Sequence, residues 1–169
     1  MPDKILWTPW RSAYVTRERN EGSCVFCDKF SETEDRDNLI LLRGKHTAVV
    51  MNLFPYNNGH IMVLPLAHKA DISELTEAEL SELYQYTALM TQVIRKVMKA
   101  QGFNIGINMG AAAGAGIAAH LHQHVVPRWS GDTNLMPVVA GVKVISETLN
   151  ETYDKLYNEL NSISHIGGL

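Results

Sequence analysis

Three histidines at alternate positions, His120, His122 and His124, are the residues of this chain whose type and spacing most directly suggest chemistry. Two valines follow them, and this apolar flank predicts a half-buried strand that ends at Pro127. Side chains in a strand alternate between its two faces, so all three imidazoles would project from one side. At about 3.3 Å per residue, His120 and His124 would lie roughly 13 Å apart, too far for all three to bind one small group. We therefore expect the three histidines to have different roles.

A glycine-rich run over residues 110–117 leads directly into this segment. Small residues let the backbone approach a ligand closely, and exposed N–H groups in such a loop can cradle an anion. Histidine is both a phosphorus nucleophile and an acid–base group near neutral pH. The combination predicts phosphate chemistry. In a nucleotidyl transfer, a neutral imidazole could attack an α-phosphorus, and a second acceptor would displace the covalent phosphoramidate. The middle histidine, His122, has a histidine on each side that can tune its orientation and proton state. A metal site along the strand and a surface run without function are the alternatives at this point.

The composition is that of an ordinary soluble globular protein. The chain has 169 residues, of which 46% are apolar and 20% charged, and this predicts one domain over residues 1–169. The net charge of −3 argues against a broad nucleic-acid-binding face. No apolar run approaches the roughly 18 residues of a membrane span, and the first residues lack the apolar core of a signal peptide. We expect a cytoplasmic protein that binds neither nucleic acid nor membrane.

Cys24 and Cys27 are the only cysteines, and they form a C-x-x-C pair. A structural disulfide is not expected in a reducing compartment, which leaves redox chemistry or metal binding. The spacing is typical of the knuckle-like turn of a zinc site, which needs two further ligands. Spacing alone cannot choose among His46, His60, His68 and the three alternating histidines.

The elements that must position these residues are short antiparallel strands and two helices. Apolar alternation and turn signals predict strands over 39–42, 47–53, 60–64 and 103–109, with the alternating histidines on a fifth strand.

A capping box over residues 76–79 predicts a long helix that ends near residue 100 and is stopped by Gly102. Its predicted core stripe consists of Leu80, Leu83, Thr87, Met90, Ile94 and Val97.

The regions outside this framework have weaker signals. Residues 1–23 are predicted to be an arm that packs through Trp7, Trp10 and Tyr14. Residues 136–145 are expected to be extended, and a final helix over about 147–161 is expected to be capped by Ser146. The tail over residues 162–169 is expected to be loose.

The chain resembles the histidine triad superfamily, whose signature is His-x-His-x-His followed by apolar residues, here 120–126. The C-x-x-C pair, residues 52–65 and residues 104–116 also match family segments in the same order. The loop over 113–117 and the segment over 127–134 look closest to the branch of Fhit-like hydrolases and bacterial diadenosine tetraphosphate phosphorylases. The resemblance implies an α+β fold, with an antiparallel sheet of about five strands, one long helix, one C-terminal helix and a homodimeric assembly.

The resemblance also implies roles for individual residues. His122 would be the nucleophile, His124 would hydrogen-bond the phosphate and position the scissile bridge, and His60 would buttress the triad. The implied substrate-binding positions are Asn52 for the ribose, and Asn108, Gly114, Ala115, Gly116 and Ile117 for the phosphates. The glycine-rich loop is one residue longer than in Fhit-like members. Related uridylyltransferases carry glutamine at the position of His124, which argues against that branch.

Many bacterial members of the superfamily bind a structural zinc ion, and the same four positions are present here. The resemblance implies Cys24, Cys27, His68 and His120 as the zinc ligands, with no organic cofactor. The function predicted in this way is diadenosine tetraphosphate phosphorolysis, with phosphate as the acceptor. The alternatives are a dinucleoside polyphosphate hydrolase, a nucleoside phosphoramidate hydrolase and a non-enzymatic nucleotide sensor.

Overall fold

The computed structural model describes residues 23–132 and 145–164. Its strands form one five-stranded sheet in the order β1-β2-β3-β5-β4, and every pairing is antiparallel. The strands are β1 (Ile40–Arg43), β2 (Thr47–Met51), β3 (Ile61–Pro65), β4 (Gly102–Ile107) and β5 (Gln123–Arg128). The helices are α1 (Val25–Ser31), α2 (Glu77–Met98) and α3 (Leu149–Ser164), with 3₁₀ turns at Ile72–Glu74 and Ala111–Ala113. The predicted α+β fold is confirmed.

The two faces of the sheet bury different apolar clusters. The larger cluster joins alternate strand residues, among them Val49, Ile61 and Val125, to α2 and α3. The smaller cluster contains Phe26 of α1, Ile40, Ala48, Val50, Met62 and Leu64. Because side chains alternate along β5, Val125 faces α2 and His124 faces the side of α1. We call the side of the sheet that carries α1 the triad face.

Helix α2 begins as predicted and ends earlier. Thr76 Oγ accepts the amide of Glu79, whose carboxylate accepts the amide of Thr76 at 2.7 Å, and these bonds form the predicted capping box. Leu83, Thr87, Met90 and Ile94 of the predicted stripe are buried, and Leu80 and Val97 are partly buried against the core. The helix ends at Met98 because Lys99 takes the left-handed conformation, with φ 57°. Gly102 is therefore the first residue of β4, and the prediction of Gly102 as the helix stop is wrong.

The alternating histidines are only partly in a strand. β5 begins at Gln123, so His120 and His122 precede it and His124 alone lies within it. Pro127 was predicted to end the strand but lies inside it. Its missing N–H is tolerated because the pairing of β3 with β5 ends at Val125.

Two further local predictions are corrected. Cys24 is the N-cap of α1 and Cys27 lies in its first turn, so this segment opens a helix and is not an isolated knuckle. Helix α3 is capped by Thr148, whose hydroxyl accepts the amide of Glu151 at 3.2 Å, and Ser146 is not the cap. The signal Thr-x-x-Glu was present in the sequence.

The remaining predictions concern the flanks. α3 extends to Ser164, so the first three residues of the predicted loose tail are helical. Trp7, Trp10, Tyr14, most of the extended segment over 136–145 and the last five residues lie outside the described ranges. Within 23–132 and 145–164, no helix has the length and apolarity needed to cross a membrane.

Glu82 anchors the β1–β2 turn to α2. Its carboxylate accepts the amides of Lys45, His46 and Thr47 at 3.0, 2.6 and 2.5 Å, and the Thr47 hydroxyl at 2.9 Å. Glycine at position 44 gives this turn room, because a Cβ there would collide with the Tyr86 ring and lie 2.8 Å from a Glu82 carboxylate oxygen. Burial opposes ionisation, but the hydrogen bonds outweigh it and lower the pKa of Glu82.

We predict that Glu82→Gln destabilises the fold by about 2 kcal/mol at pH 7, because an amide can accept fewer of these four bonds and carries no charge. The control is Glu77→Gln, which removes a charge from the exposed first turn of the same helix. Since the pKa of Glu82 is depressed in the folded state, the stability difference between wild type and Glu82→Gln should be full above the ordinary glutamate pKa of 4.5 and shrink as the pH falls. Urea denaturation at several pH values measures this, and equal midpoints for the two variants would contradict it.

Candidate active site and metal site

Four side chains form a compact cluster of metal-ligand type. One ligand atom each from Cys24, Cys27, His68 and His120 lies within 4.8 Å of every other. Cys24 Sγ lies 3.3 Å from His120 Nδ1, and Cys27 Sγ lies 3.3 Å from His68 Nδ1 and 3.7 Å from His120 Nδ1. A tetrahedral zinc ion with bonds of about 2.3 Å to sulfur and about 2.0 Å to nitrogen places such ligands about 3.5 Å apart. These residues could therefore hold a metal ion.

The orientation of His120 is set by the strand beside it. Its Nε2–H donates to the carbonyl oxygen of Pro65 at 2.9 Å, which leaves the lone pair on Nδ1 facing the thiols. The ring of Phe26 packs edge-on against His120, with ring centroids 5.3 Å apart. Burial is the main cause that lowers the pKa of His120, so the imidazole is held in the neutral form that a metal ligand requires.

The Cys27 thiol is held in its protonated form by its surroundings. Burial first, and then the hydrogen bond and charge of Cys24, raise the pKa of Cys27 to about 11. A bound divalent cation inverts this balance, because coordination deprotonates a thiol outright. Two sulfurs and two neutral imidazoles are the donor set of a closed zinc site.

The second histidine of the triad is bonded to the backbone of the first. His122 Nδ1 lies 2.8 Å from the carbonyl oxygen of His120, and only a protonated Nδ1 can donate to it. In the neutral imidazole, Nε2 of His122 therefore carries the lone pair. The side chain is 5% exposed and packs against Phe26, with ring centroids 5.4 Å apart.

The tautomer of His124, the third triad histidine, is set by hydrogen bonds that begin in the loop before β3. The Tyr56 amide donates to His60 Nδ1 at 3.0 Å, so His60 carries its proton on Nε2. His60 Nε2 lies 3.0 Å from His124 Nδ1 and donates to it, which leaves a proton on His124 Nε2. Burial, and then the neighbouring His122, lower the pKa of His124 to about 4, so this donor is a neutral imidazole at pH 7.

The free ring nitrogens at the ends of these hydrogen-bond chains, Nε2 of His122 and Nε2 of His124, differ in their protonation. The rings of His122 and His124 lie 4.9 Å apart between centroids; Nε2 of the first is a lone-pair donor and Nε2 of the second is a proton donor. Neither Nε2 makes a hydrogen bond within the described ranges. The pair can attack an electrophilic centre and donate a hydrogen bond to a group on that centre at the same time.

The predicted substrate-binding residues lie in three parts of the chain: the end of β2, the end of β4 and the glycine-rich loop. The backbone N–H of Asn52 donates to the backbone carbonyl of His60 at 3.0 Å. The side-chain oxygen of Asn52 accepts the backbone N–H of Phe54 at 2.9 Å. Asn108 follows Ile107, the last residue of β4, and Ile107 pairs with Gln123, the neighbour of His122 in the chain. The loop that carries Gly114, Ala115, Gly116 and Ile117 is largely exposed, and it ends where the His120 amide approaches the Ile117 carbonyl at 3.4 Å.

Among the other histidines, His46 is not part of either cluster. It lies in the β1–β2 turn, where its amide donates to Glu82.

Tyr56 and Gly59 were missed as site residues. The Tyr56 ring lies 4.6 Å from the ring of His60 between centroids and is 51% exposed. Gly59 has φ +71° and leaves room for Met98 Sδ, which would lie 2.7 Å from a Cβ at this position. The signal was the turn Asn-Asn-Gly directly before His60, which must hold that histidine in place.

The segment that follows β5 supports the same loop. Asp132 accepts two hydrogen bonds from Arg128, at 2.6 and 2.8 Å, and one from Asn57 at 2.9 Å. The pairing with Arg128 lowers the pKa of Asp132 well below its usual range. Since Arg128 also donates to Asn104 at 2.9 Å, its guanidinium serves as a clamp between β4, β5 and the loop. Residues 133 and 134 of the predicted segment lie outside the described ranges.

Comparison with known proteins gives matches over most of the chain. The model of the HIT domain matches residues 33–131. The AP-4-A phosphorylase of Mycobacterium tuberculosis is 40% identical over 162 residues, which cover 91% of this chain and 83% of that protein. The asymmetrical bis(5'-nucleosyl)-tetraphosphatase of Schizosaccharomyces pombe is 37% identical over 93 residues, 55% of this chain and 50% of that protein. A Zn-bound histidine triad family protein from Mycobacterium smegmatis shares the fold at TM-score 0.70 and 24% identity, over 87% of this chain and 99% of that one.

We predict which ring nitrogen carries the proton when His60, His122 and His124 are in their neutral forms. His122 should carry its proton on Nδ1, whereas His60 and His124 should carry theirs on Nε2, because each partner described above leaves one choice. The ¹⁵N chemical shifts of ¹⁵N-histidine-labelled protein report these states directly. His124 should stay neutral until the pH approaches about 4. A proton on Nε2 of His122 at neutral pH would contradict the assignment.

Proposed function

Since this chain belongs to the HIT family, we propose that it cleaves dinucleoside polyphosphates by nucleotidyl transfer through His122, with diadenosine tetraphosphate as substrate and inorganic phosphate as acceptor. The observation that carries the proposal is the pair of adjacent Nε2 atoms, one with a lone pair on His122 and one with a proton on His124. This is the arrangement needed for attack on phosphorus with simultaneous hydrogen bonding to the departing oxygen.

In the first step, His122 Nε2 attacks the α-phosphorus and the bond from phosphorus to the bridging oxygen breaks. The leaving ATP takes the bonding electron pair, and the His124 Nε2–H donates a hydrogen bond to the bridging oxygen. The imidazolium that forms on His122 is stabilised because its Nδ1–H already donates to the His120 carbonyl.

In the second step, a phosphate oxygen attacks the adenylyl phosphorus and the P–N bond breaks. The products are ADP and regenerated neutral His122, so that diadenosine tetraphosphate and phosphate give ATP and ADP. Water in place of phosphate would give AMP and make the enzyme a hydrolase.

The remaining site residues have proposed roles in binding. Asn52 would contact the ribose, while Asn108 and the backbone of residues 114–117 would contact phosphates. The position of Asn108 directly after Ile107, which pairs with the chain neighbour of His122, supports this for the phosphate that is attacked. His60 would orient His124 and does not need to touch substrate.

The choice of phosphate as acceptor is supported by the relative named AP-4-A phosphorylase, whose likeness extends over 91% of this chain. The second candidate is hydrolysis, which is supported by the shorter match to a bis(5'-nucleosyl)-tetraphosphatase. Both candidates use the same first step and differ only in the acceptor.

We propose that Cys24, Cys27, His68 and His120 bind a structural zinc ion. All four coordination positions are filled by protein side chains, so such an ion would have no open position for substrate. Its contribution would be to hold α1 against the sheet and to fix His120, whose carbonyl orients His122. The two cysteines are free thiols, which suits the reducing environment of the cytoplasm.

We also propose a homodimer of single-domain chains that pair through β4. This strand is an edge of the sheet, and its Ile105 is 47% exposed. Helix α2 also carries an exposed aromatic side chain, Tyr84, which is 55% exposed. An exposed edge strand next to apolar side chains favours pairing with a second copy.

We predict that diadenosine tetraphosphate is converted to ATP and ADP only when inorganic phosphate is present. Product analysis by chromatography, with and without phosphate, measures this. His122→Ala should lower turnover at least about 10³-fold, since it removes the attacking atom, while its melting temperature stays close to that of wild type. His46→Ala, which changes a histidine outside both clusters, should leave turnover intact. AMP and ATP formed without phosphate would establish hydrolysis, and full activity of His122→Ala would refute the nucleophile.

We predict about one zinc ion per chain in protein purified without added metal, because the four ligands close the coordination sphere. Cys27→Ser should lose most of this zinc and lower the melting temperature, whereas His46→Ala should keep both. Elemental analysis and thermal unfolding measure the two effects without reference to activity. Metal-free wild type that melts at the same temperature with and without added zinc would refute the site.

A further inference from the structure

A glycine lies in the interior of β4, directly opposite His124. Gly106 and His124 are Cα partners in the β4–β5 ladder. Glycine inside a strand weakens it, because it has more conformational freedom to lose and no side chain to pack. The backbone of Gly106 does not have the positive φ that would demand glycine. Backbone conformation therefore does not explain this residue.

Packing does not explain Gly106 either. Among the residues that the structure describes, no heavy atom lies within 4 Å of the position that a Cβ of residue 106 would take. Gly44 and Gly59 differ in this respect, because a Cβ at either position would collide with neighbouring side chains. The space beside Gly106 is thus open.

The register shows where this open space lies. Residues directly opposite each other on neighbouring strands point to the same face, with Cβ atoms about 4.5–5.5 Å apart. A side chain at position 106 would therefore stand beside the imidazole of His124 on the triad face. On the other side of His124 the cross-strand partner is Met62, which is buried. His124 is packed on the β3 side and open on the β4 side.

The proton donor of His124 points away from the packed side. Its Nδ1 is bonded to His60, which precedes β3, and the two nitrogens of an imidazole point in divergent directions. Nε2 therefore points away from His60. His122 and His124 are 5% and 9% exposed, and neither Nε2 has a hydrogen-bond partner among the described residues. Since no buried side-chain nitrogen or oxygen of the described residues lacks a partner, both Nε2 atoms reach solvent at the edge of this open space, where a ligand can bind them.

We infer that Gly106 keeps free the space that the leaving nucleoside polyphosphate occupies, so that the size of residue 106 determines which leaving groups the enzyme accepts. The inference rests on the proposed function, in which His124 donates to the bridging oxygen and the leaving group departs on its side. The attacked nucleotidyl half lies at His122 and does not need this space. Gly106 is thus a specificity-determining residue.

The test uses Gly106→Ala and Gly106→Val, with Gly102→Ala and Gly102→Val as matched controls. Gly102 lies on the same strand, also lacks a positive φ and also has no described heavy atom within 4 Å of a Cβ, but it pairs with Arg128, four residues from His124. The measurements are affinities for AMP and for a non-hydrolysable diadenosine tetraphosphate analogue, kcat/KM on diadenosine tetraphosphate, and melting temperature.

Gly106→Val should lower kcat/KM and the affinity for the analogue by about 10-fold or more. Gly106→Ala should lower them by a smaller factor. AMP affinity should change less than about twofold, since AMP occupies only the nucleotidyl half. Both variants should melt at or above the wild-type temperature, because alanine and valine suit a strand better than glycine. The Gly102 variants should keep both affinities and kcat/KM.

Unchanged dinucleotide binding and turnover in Gly106→Val would overturn the inference, and so would an equal loss of affinity for AMP and the analogue. Loss of folding in both Gly106 variants would also overturn it, since the glycine would then be structural. These results differ from failure of the proposed function, in which wild type itself would neither bind the analogue nor cleave diadenosine tetraphosphate.

Discussion

The hydrogen bond from His122 Nδ1–H to the carbonyl oxygen of His120 is the contact on which the site depends. It joins the only cluster of metal-ligand type found among the described residues to the imidazole that carries the nucleophilic lone pair. The carbonyl acts on His122 as a carboxylate acts on a catalytic histidine elsewhere, since it fixes the tautomer and the ring orientation together. Whatever holds the backbone at His120 therefore holds the proposed nucleophile.

Hydrogen bonds fix the tautomers of the other site histidines in the same way. His60, His124 and His122 lie next to one another. In each ring, the nitrogen that carries the proton is fixed by a hydrogen bond to a backbone group or to a neighbouring ring. The Tyr56 amide fixes the tautomer of His60, and His60 in turn fixes the tautomer of His124. These arrangements need strands in a defined register, because a shift of one residue would turn His124 to the α2 face. Gln123 lies between His122 and His124 in the chain, and its buried hydrogen bond to Thr87 of α2, at 2.9 Å, resists such a shift.

The strands and α2 support this register by polar contacts at their ends. Glu82 closes the β1–β2 turn, and Trp129 Nε1–H donates to the last carbonyl of α2, that of Met98, at 3.1 Å. Arg128 and Asp132 clamp the end of β5 to the loop that carries Tyr56. Each face of the sheet buries an apolar cluster, and the proposed catalytic histidines lie where the strands β3 and β5 begin. A rigid apolar sheet with reactive groups at the strand ends keeps those groups in place without burying unpaired charge.

The sequence by itself determined the elements and the chemical types. Periodicity and capping signals predicted the five strands and α2, because those patterns reflect local propensity and burial. The alternating histidines and the C-x-x-C pair indicated which side chains could carry chemistry. Spacing could not choose the remaining metal ligands, and there the family resemblance supplied His68 and His120, which the structure brings to the two cysteines. Tertiary structure alone decided which nitrogen of each histidine carries a proton, since that depends on partners as distant along the chain as His60 and His124. It also decided that Lys99 and not Gly102 ends α2, that β5 begins at Gln123, and that Gly106 stands opposite His124, because pairing between strands is a non-local property that no local pattern encodes.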